Sequence, residues 1–327
     1  MNTQKTRVIR FTAPGGPEVL ELETVELPNP GPGEVQIRQT AIGLNFQEIY
    51  QRSGAYKMPL PSGVGSEAAG VVEKVGGISA YKPGDRVCYG GGAAGAYAER
   101  RNVPAARLLR TPGGVSDEVA AAVLFKGMTV EYLLNRCYPV HAGEKVLFYA
   151  AAGGIGLLAG QWGKHRGAHM IGVAGGAQKC ALARANGYAT VIDRTSEDIA
   201  ARVREITGGA GVPVAYDPVG KATFETTLAC LKPRGFFVSF GAITGAPPAV
   251  EASRLREAGS LYFTRPALAT YIATRQELED SAAAVFALLA RGVLKATINA
   301  RYALADAAKA HADLEAGRTS GSSVLIP

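Results

Sequence analysis

Cysteine is scarce in this chain of 327 residues, which contains four. The four are scattered, and no two share the close spacing of a zinc knuckle or of a disulfide framework. This usage argues against a structural zinc site and a disulfide-stapled domain, and it favours a reducing cytoplasm. The cysteines are Cys88, Cys137, Cys180 and Cys230.

Long apolar runs are also missing from the sequence. No stretch approaches the roughly 18 to 20 apolar residues that a membrane-spanning helix needs. Residues 1–10 are polar and basic and lack the apolar core of a signal peptide, so we expect none. A soluble, cytoplasmic protein is therefore predicted.

Features of nucleic-acid binders are weak in this sequence. It has no internal repeat, no low-complexity segment and no run of lysines and arginines interleaved with aromatic residues. The formal net charge of +7 suits an anionic cofactor, but alone it argues neither for nor against nucleic acid.

What the sequence does contain is glycine and enough length for two domains. It has 41 glycines, 47% hydrophobic residues and 19% charged residues. This is the composition of an ordinary globular protein with a substantial core. The glycines favour a turn-rich α/β architecture.

A glycine-rich turn at residues 151–156 lies between a strand-like run, 145–150, and a helix-like run from Leu157. Strand, glycine turn and helix in this order are typical of a dinucleotide phosphate-binding loop. The first glycine position of the usual G-x-G-x-x-G pattern is Ala151 here. A tight turn that needs small residues only for packing is the alternative. The candidate cofactor-binding residues are Ala152, Gly153, Gly154 and Ile155.

The tip of the next predicted strand, 169–174, indicates which dinucleotide is bound. It continues through Gly175 to Lys179 without the carboxylate that usually binds the ribose of NAD. A carboxylate would repel a 2′-phosphate, whereas Lys179 offers a compensating charge, so we predict NADPH. Arg194, just past the third strand, is a second candidate phosphate partner. The alternative for Lys179 and for Arg194 is that each is an ordinary solvent-exposed residue without a cofactor contact.

The alternation of strands and helices then continues to residue 264. Short apolar runs bounded by glycine alternate with helical stretches, which indicates a doubly wound parallel sheet. Ligands of such sheets lie beyond the carboxyl ends of the strands. Plain packing is the alternative role for the strand-end candidates. These candidates are Val219, Phe240, Gly241 and Thr264.

The residues before this region have a different texture. Short runs with partial alternation, such as 34–38 and 69–75, are separated by Pro-Gly turns such as Pro30–Gly33. This pattern is typical of an irregular, mostly antiparallel barrel. A β domain joined to a dinucleotide domain is the layout of a two-domain oxidoreductase.

Segments along nearly the whole chain resemble one family. The sequence looks like a zinc-independent quinone oxidoreductase of the medium-chain dehydrogenase/reductase superfamily, close to the NADPH:quinone reductases and zeta-crystallins. The segments that carry the resemblance are Gly15–Leu20, Gly43–Phe46, Arg52–Gly54, Gly63–Gly70, Gly84–Val87, Lys126–Thr129, Ala150–Gly156 and Gly321–Pro327.

The resemblance implies a fold and an assembly. It implies an α/β protein with a doubly wound parallel Rossmann sheet inserted in a GroES-like, mostly antiparallel β-barrel domain. We expect the catalytic domain at 1–126 and 267–327, with the dinucleotide domain at 127–266. Members are typically homodimers that pair their sixth Rossmann strands, here the run Ser260–Thr264.

The resemblance also implies that this chain works without metal. Zinc-dependent relatives use a Cys early in the β domain and a His in a Gly-His-Glu motif. Those positions are Asn45 and Ser66 here, and neither replaces a thiolate or an imidazole on Zn²⁺. Without a Lewis acid, alcohols are poor substrates, so we expect an acceptor that is already electrophilic.

Site residues follow from the same resemblance. Asn45, Tyr50 and Tyr56 are expected at the active site, where the Asn45 amide and the Tyr50 hydroxyl donate to the acceptor carbonyl or fix the nicotinamide carboxamide. A turn cap for Asn45 and rim or core packing for the tyrosines are the alternatives. Lys126 and Thr129 are expected to bind cofactor hydroxyls or phosphate.

Arg318 is expected to approach the 2′-phosphate. Close relatives carry an arginine one residue earlier, where this chain has Gly317, so Arg318 is displaced relative to them.

An NADPH:quinone reductase is thus the leading hypothesis. An NADPH-dependent alkenal or enone reductase is the alternative, because it uses the same hydride geometry on another acceptor. A non-enzymatic RNA-binding or crystallin-like role is a further alternative.

Overall fold

The computed structural model describes residues 3–77 and 80–327. The strands in these residues are β1 Thr3–Phe11, β2 Glu21–Pro28, β3 Glu34–Leu44, β4 Ser62–Gly63, β5 Glu67–Val75, β6 Arg86–Gly90, β7 Arg100–Pro104, β8 Leu109–Arg110, β9 Lys145–Phe148, β10 His169–Ala174, β11 Thr190–Asp193, β12 Val212–Asp217, β13 Leu231–Ser239, β14 Tyr262–Thr264, β15 Ile298–Ala303 and β16 Ser322–Ile326.

Ten α-helices occur in the same described residues. They are α1 Phe46–Arg52, α2 Asp117–Tyr132, α3 Gly154–His165, α4 Ala177–Ala185, α5 Ile199–Thr207, α6 Phe224–Cys230, α7 Ala252–Glu257, α8 Leu268–Tyr271, α9 Arg275–Ala290 and α10 Ala307–Glu315. A π-helical turn, Leu133–Cys137, extends α2. Within the described residues, no helix has the length and apolarity to cross a membrane.

The chain divides into two compact units. Unit 1 comprises residues 1–127, 272–286 and 296–327, and unit 2 comprises residues 128–271 and 287–295. The predicted domain limits at residues 126 and 266 stay a prediction.

Unit 2 contains a six-stranded parallel sheet in the order β11-β10-β9-β12-β13-β14. This is the doubly wound order, with the chain reversing direction across the sheet between β9 and β12. Every residue of β12 is buried, as expected for a parallel strand covered on both faces. The predicted Rossmann sheet is therefore confirmed.

Several element bounds in unit 2 differ from the prediction, and strand β9 ends at Phe148 rather than at residue 150. Helix α3 begins at Gly154 rather than Leu157, because glycines 154 and 156 already adopt helical geometry. Strand β13 begins at Leu231 rather than Gly235, and β14 has three residues rather than five.

Unit 1 contains two sheets. One is three-stranded, in the order β2-β1-β4, and the other runs β15-β16-β3-β5-β6-β8, with β7 also paired to β3. All pairings in these sheets are antiparallel except β15 with β16. Strand β3 is the centre of the larger sheet, and its residues Val35, Ile37 and Ile42 are fully buried. The predicted mostly antiparallel domain is confirmed.

Candidate functional site

The glycine turn joins β9 to α3 in a tight backbone arrangement. Ala150 has a positive φ of 52°, and the Gly153 N–H donates to its carbonyl oxygen at 3.0 Å. A Cβ on Gly156 would lie 2.3 Å from the same oxygen. Only glycine fits at 156, whereas Ala151 is accommodated as a fully buried residue. The turn thus tolerates the alanine that departs from the usual pattern.

The N-terminus of α3 is suited to an anion. Its N-cap is Gly153, and no side chain makes a cap hydrogen bond there. The first backbone N–H groups of a helix lack partners within the helix, and the helix dipole favours negative charge at this end. The predicted cofactor residues Ala152, Gly153, Gly154 and Ile155 all lie at this turn or in the first residues of α3.

The turn after β10 is held by a carboxylate that the sequence prediction did not include. Asp193, the last residue of β11, accepts hydrogen bonds from the Gly176 N–H at 2.9 Å and from the Thr195 N–H at 3.0 Å and hydroxyl at 2.7 Å. These bonds, that of Gly176 first, lower the pKa of Asp193 to about 2. The charge of Asp193 is therefore engaged by the backbone of the turn.

Two cationic residues accompany this turn. The Arg194 guanidinium lies against Gly175, where an added Cβ would be 3.0–3.2 Å from it. Lys179 is the third residue of α4 and is half-buried. The structure therefore brings Gly175 and Arg194 together.

The loops after β12 and β13 are bonded to one another. Thr244 donates from its N–H and its hydroxyl to the Val219 carbonyl, each at 2.9 Å. Gly241 lies so close to Pro218 that a Cβ on it would be 2.5 Å from the Pro218 carbonyl oxygen. Phe240 packs against Phe148 at the end of β9, with ring centroids 5.5 Å apart.

A buried aspartate, also missing from the prediction, supports these loops. Asp217 ends β12 and accepts from the N–H groups of Val219 at 2.7 Å and Gly220 at 3.2 Å. It also accepts from the hydroxyls of Thr223 at 2.7 Å and Thr227 at 2.8 Å. Four donors on one fully buried carboxylate fix the predicted residue Val219 in place.

The remaining predicted cofactor residues are distributed over several elements. Thr264 is the last residue of β14 and pairs with Val238. Lys126 and Thr129 lie one turn apart on α2, both buried. Arg318, in unit 1, forms an ion pair with Asp313 at 2.8 Å and is exposed.

Asn45 begins α1 in unit 1. It is the N-cap residue, and the Glu48 carboxylate accepts from its backbone N–H at 2.6 Å. Its side-chain amide nitrogen donates to the Glu67 carboxylate at 3.1 Å. Asn45 therefore occupies a capping position, the alternative given for it in the sequence analysis. Its side chain also makes a buried hydrogen bond to Glu67.

Glu67 is the centre of this buried cluster. Its Oε1 accepts from the Phe125 N–H at 2.7 Å. Its Oε2 accepts from Asn45 and from the Lys126 ammonium at 3.2 Å. Burial raises the pKa of Glu67, and the nearby Lys126 charge opposes this rise. Lys126 and Asn45, one predicted to bind cofactor and the other acceptor, thus share one oxygen.

Glu48 is a second buried carboxyl group in the cluster. It is fully buried, and its Oε1 accepts from the Ser66 hydroxyl at 2.8 Å. Burial raises its pKa to about 7, although the Ser66 hydrogen bond lowers it in part. A carboxyl group with this pKa is largely protonated in mildly acidic solution.

The two predicted tyrosines lie together beside this cluster. The rings of Tyr50 and Tyr56 are 5.3 Å apart, and Phe46 lies 5.4 Å from Tyr50 on its other side. Tyr56 is 43% exposed, which suits a residue at the rim of a site.

Four acidic residues were missing from the sequence prediction. Each has a role that depends on burial or on contacts with residues distant in sequence, and they are Asp193, Asp217, Glu48 and Glu67. One local signal was present for Glu48, which stands three residues after Asn45 in the spacing of a capping box.

The residues at the zinc-ligand positions do not fit a catalytic zinc site. Asn45 and Ser66 offer an amide and a hydroxyl, both engaged with buried carboxylates. Among the residues that the structure describes, no group of three His, Cys, Asp or Glu side chains is placed to hold a metal ion.

Comparison with known proteins matches both parts of the chain. The alcohol dehydrogenase GroES-like domain matches residues 31–113, and the zinc-binding dehydrogenase domain matches residues 154–286. A quinone oxidoreductase of Pseudomonas aeruginosa is 49% identical over 321 residues, 98% of this chain and 99% of that protein. This chain belongs to the quinone oxidoreductase family. Within the medium-chain dehydrogenase/reductase superfamily, the predicted family is therefore confirmed.

Two other members of the superfamily are informative. The crystal structure of Escherichia coli quinone oxidoreductase complexed with NADPH has a TM-score of 0.96 and 47% identity, covering 98% of this chain and 100% of that one. A 2-haloacrylate reductase of a Burkholderia species is 41% identical over 96% of each chain.

Proposed function

We propose that this quinone oxidoreductase family member transfers a hydride from NADPH to a quinone without a metal ion. The observation that carries the proposal is the turn after β10, where Arg194 lies against Gly175 and the Asp193 carboxylate is bonded to the turn itself. Such a turn accepts a 2′-phosphate. The E. coli relative, which shares the fold, is complexed with NADPH.

The residues present fit the cofactor. The uncapped N-terminus of α3 offers backbone N–H groups to the pyrophosphate, and Gly153 and Gly154 allow it a close approach. Lys179 and Arg194 compensate the 2′-phosphate charge, with Arg318 as a further candidate. Lys126 and Thr129 would hold hydroxyl groups or phosphate. When bound, NADPH supplies a hydride from C4 of its nicotinamide.

We assign the acceptor side to Asn45 and Tyr50, with Tyr56 at the rim. Asn45 uses its amide as a donor to Glu67, and an amide nitrogen carries two N–H groups. The second N–H and the Tyr50 hydroxyl would donate to the acceptor carbonyl, where negative charge develops as the hydride arrives. A quinone needs little further help, because the charge is delocalised into an aromatic ring.

The donor set at the zinc-ligand positions supports a metal-free mechanism. An amide and a hydroxyl at Asn45 and Ser66 leave no thiolate or imidazole for zinc. The enzyme's contribution is then to position the acceptor and to supply hydrogen-bond donors.

We further propose a cytoplasmic homodimer that pairs the β14 strands of two copies. Strand β14 is the last strand of the parallel sheet. Its Tyr262 is 55% exposed and stacks on Phe236, with ring centroids 4.5 Å apart. A large exposed aromatic residue on an edge strand suits a protein interface.

Sedimentation equilibrium of the wild type and of Tyr262→Lys tests the proposed dimer. We expect a wild-type dimer that the lysine substitution converts to a monomer, and a monomeric wild type would contradict the proposal.

The function itself is tested by NADPH oxidation with purified protein. We expect rapid oxidation with an ortho-quinone or a para-quinone, slower oxidation when NADH replaces NADPH, and no change with a metal chelator. Chelator-sensitive turnover would overturn the metal-free mechanism. Tight NADPH binding without turnover of any quinone would overturn the quinone assignment.

A second candidate is an NADPH-dependent alkenal or enone reductase. The similarity to a 2-haloacrylate reductase favours it, because a haloacrylate carries a carbon–carbon double bond conjugated to its carboxylate. The same hydride donor then attacks the β-carbon. An α,β-unsaturated aldehyde and a 2-haloacrylate in the same assay distinguish the two: turnover of these alone moves the assignment to the second candidate.

A further inference from the structure

Glu67 occupies a fixed and fully buried position in unit 1. It is the first residue of β5, and none of its surface is exposed. An added Cβ on Gly43 would lie 2.3 Å from its Oε2. Strand β3 therefore has glycine where the carboxylate packs against its backbone, because a larger residue at position 43 would collide with Glu67.

Three donors converge on this carboxylate from two helices. The Phe125 N–H and the Lys126 ammonium come from α2, and the Asn45 amide comes from the start of α1. Lys126 balances the charge of Glu67 inside the protein. Removing either partner of a buried ion pair leaves an uncompensated charge, so the pair also contributes to the stability of the folded protein.

The shared oxygen has a geometric consequence for Asn45. An amide that donates one N–H to a fixed acceptor has its side-chain torsions restricted, and the direction of its second N–H is then set as well. Without Glu67, the Asn45 amide nitrogen would lose this acceptor, and only the capping contact of the side chain with the Glu48 backbone N–H would orient the amide.

We propose that Glu67 is a positioning residue for the reaction, which aims the free N–H of Asn45 at the acceptor and balances its own charge with Lys126. This inference rests on the proposed function of Asn45. Glu67 itself donates nothing and touches no substrate. Its contribution is that Asn45 needs no reorientation when the hydride arrives.

The variants Glu67→Asp and Glu67→Gln test the proposal. Aspartate keeps the charge but draws the carboxylate back by one methylene, and glutamine keeps the length but turns an NH₂ group toward donors. Displacement of a catalytic donor by about 1 Å can lower the rate about 100-fold. We expect kcat with a quinone to fall about 100-fold. The NADPH dissociation constant should change by less than about tenfold, because the α3 turn is untouched and only the contact made by Lys126 is disturbed.

Glu73 provides the matched control. It lies on the same strand, β5, and is ion-paired with Arg38 at 3.3 Å and Arg100 at 2.9 Å. Glu73→Asp and Glu73→Gln repeat the two substitutions on another ion-paired glutamate. We expect kcat within about twofold of the wild type, as is usual for half-buried surface pairs.

A second readout does not depend on turnover. The side-chain amide of Asn45 gives a ¹H–¹⁵N cross-peak, assigned as the one lost in Asn45→Ser. We expect this cross-peak to shift and exchange faster with solvent in both Glu67 variants, and to stay in place in both Glu73 variants.

The outcomes separate this inference from the proposed function. If the wild type oxidises NADPH with a quinone, a Glu67→Asp protein that folds and keeps its kcat within twofold overturns the positioning role. If no quinone is turned over, the proposed function fails, and the Asn45 cross-peak alone shows whether Glu67 positions the Asn45 amide. An unchanged cross-peak in a folded Glu67 variant overturns the inference in either case. If either Glu67→Asp or Glu67→Gln fails to fold, the measurements on the other variant decide.

Discussion

The glycine turn of unit 2 and the carboxylate cluster of unit 1 are held in place in opposite ways. The turn presents backbone N–H groups and has glycine where a Cβ would collide. The cluster presents side chains, and it fixes them with buried carboxylates and one ion pair. In the proposed function, the first region recognises its ligand by backbone shape and the second by the orientation of side-chain donors.

The difference teaches where each region is vulnerable. A backbone site fails when volume is added, because the chain has no room to move. A side-chain site fails when a charge or a hydrogen bond is removed, because the partner is left buried and unsatisfied.

The largest expected effect is on the pH dependence of stability, through Glu48. The unfolded chain releases this proton near its ordinary pKa of 4.5, whereas the folded protein keeps it to about 7. The unfolded state therefore binds fewer protons between these values, so this group lowers stability as pH rises through the window. Each pH unit is worth about 1.4 kcal/mol, which gives a total on the order of 3 kcal/mol.

Glu48→Gln removes that contribution, because glutamine mimics the protonated acid. Its oxygen accepts from the Asn45 N–H, and its NH₂ group donates to Ser66. Guanidinium unfolding at pH 5 and pH 8 measures the difference: the variant should gain on the wild type as pH rises. Parallel stability curves for the two proteins would show that Glu48 does not titrate in this window.

Asn45→Ala is expected to have the next largest effect. Loss of one hydrogen-bond donor to a developing negative charge costs about 100-fold in kcat. Steady-state kinetics with a quinone measures this fall, and NADPH fluorescence titration should show an almost unchanged dissociation constant. A variant with wild-type turnover would assign Asn45 to the capping of α1 alone.

Gly156→Ala tests the backbone region by adding one methyl group. The new Cβ would lie 2.3 Å from the Ala150 carbonyl oxygen, so the turn must move. Overpacking of this kind costs about 1–3 kcal/mol of stability, and NADPH affinity should fall at the same time. Thermal unfolding with and without NADPH measures both. Gly113→Ala, where a Cβ meets nothing within 4 Å, is the control.

The smallest effects distinguish two arginines. Arg194→Ala should lower the preference for NADPH over NADH by about tenfold, as expected for one charge-assisted hydrogen bond to the 2′-phosphate. Arg318→Ala should change it by less than about twofold, because Arg318 is exposed and already paired with Asp313. Dissociation constants of each variant for NADPH and NADH show which arginine has the larger effect. A larger effect of Arg318→Ala would make Arg318, rather than Arg194, the main partner of the 2′-phosphate.

Local patterns in the sequence were sufficient for the backbone region. Glycine at 153, 154 and 156 between an apolar strand and a helix predicted the turn, because backbone space depends on the residues at the turn itself. The bounds of β13 and β14 were less well predicted. Strand ends depend on pairing with neighbours that lie far away in the sequence, such as Phe236 with Tyr262.

The sequence by itself determined the family, the order of strands and helices, the glycine turn and the lack of a carboxylate beyond Ala174. These features are local or are read in chain order. Only the tertiary structure decided that Glu67 joins Asn45 to Lys126, residues 81 positions apart, and that burial raises the pKa of Glu48. Burial and shared hydrogen bonds are properties of packed side chains, so no single segment of sequence specifies them.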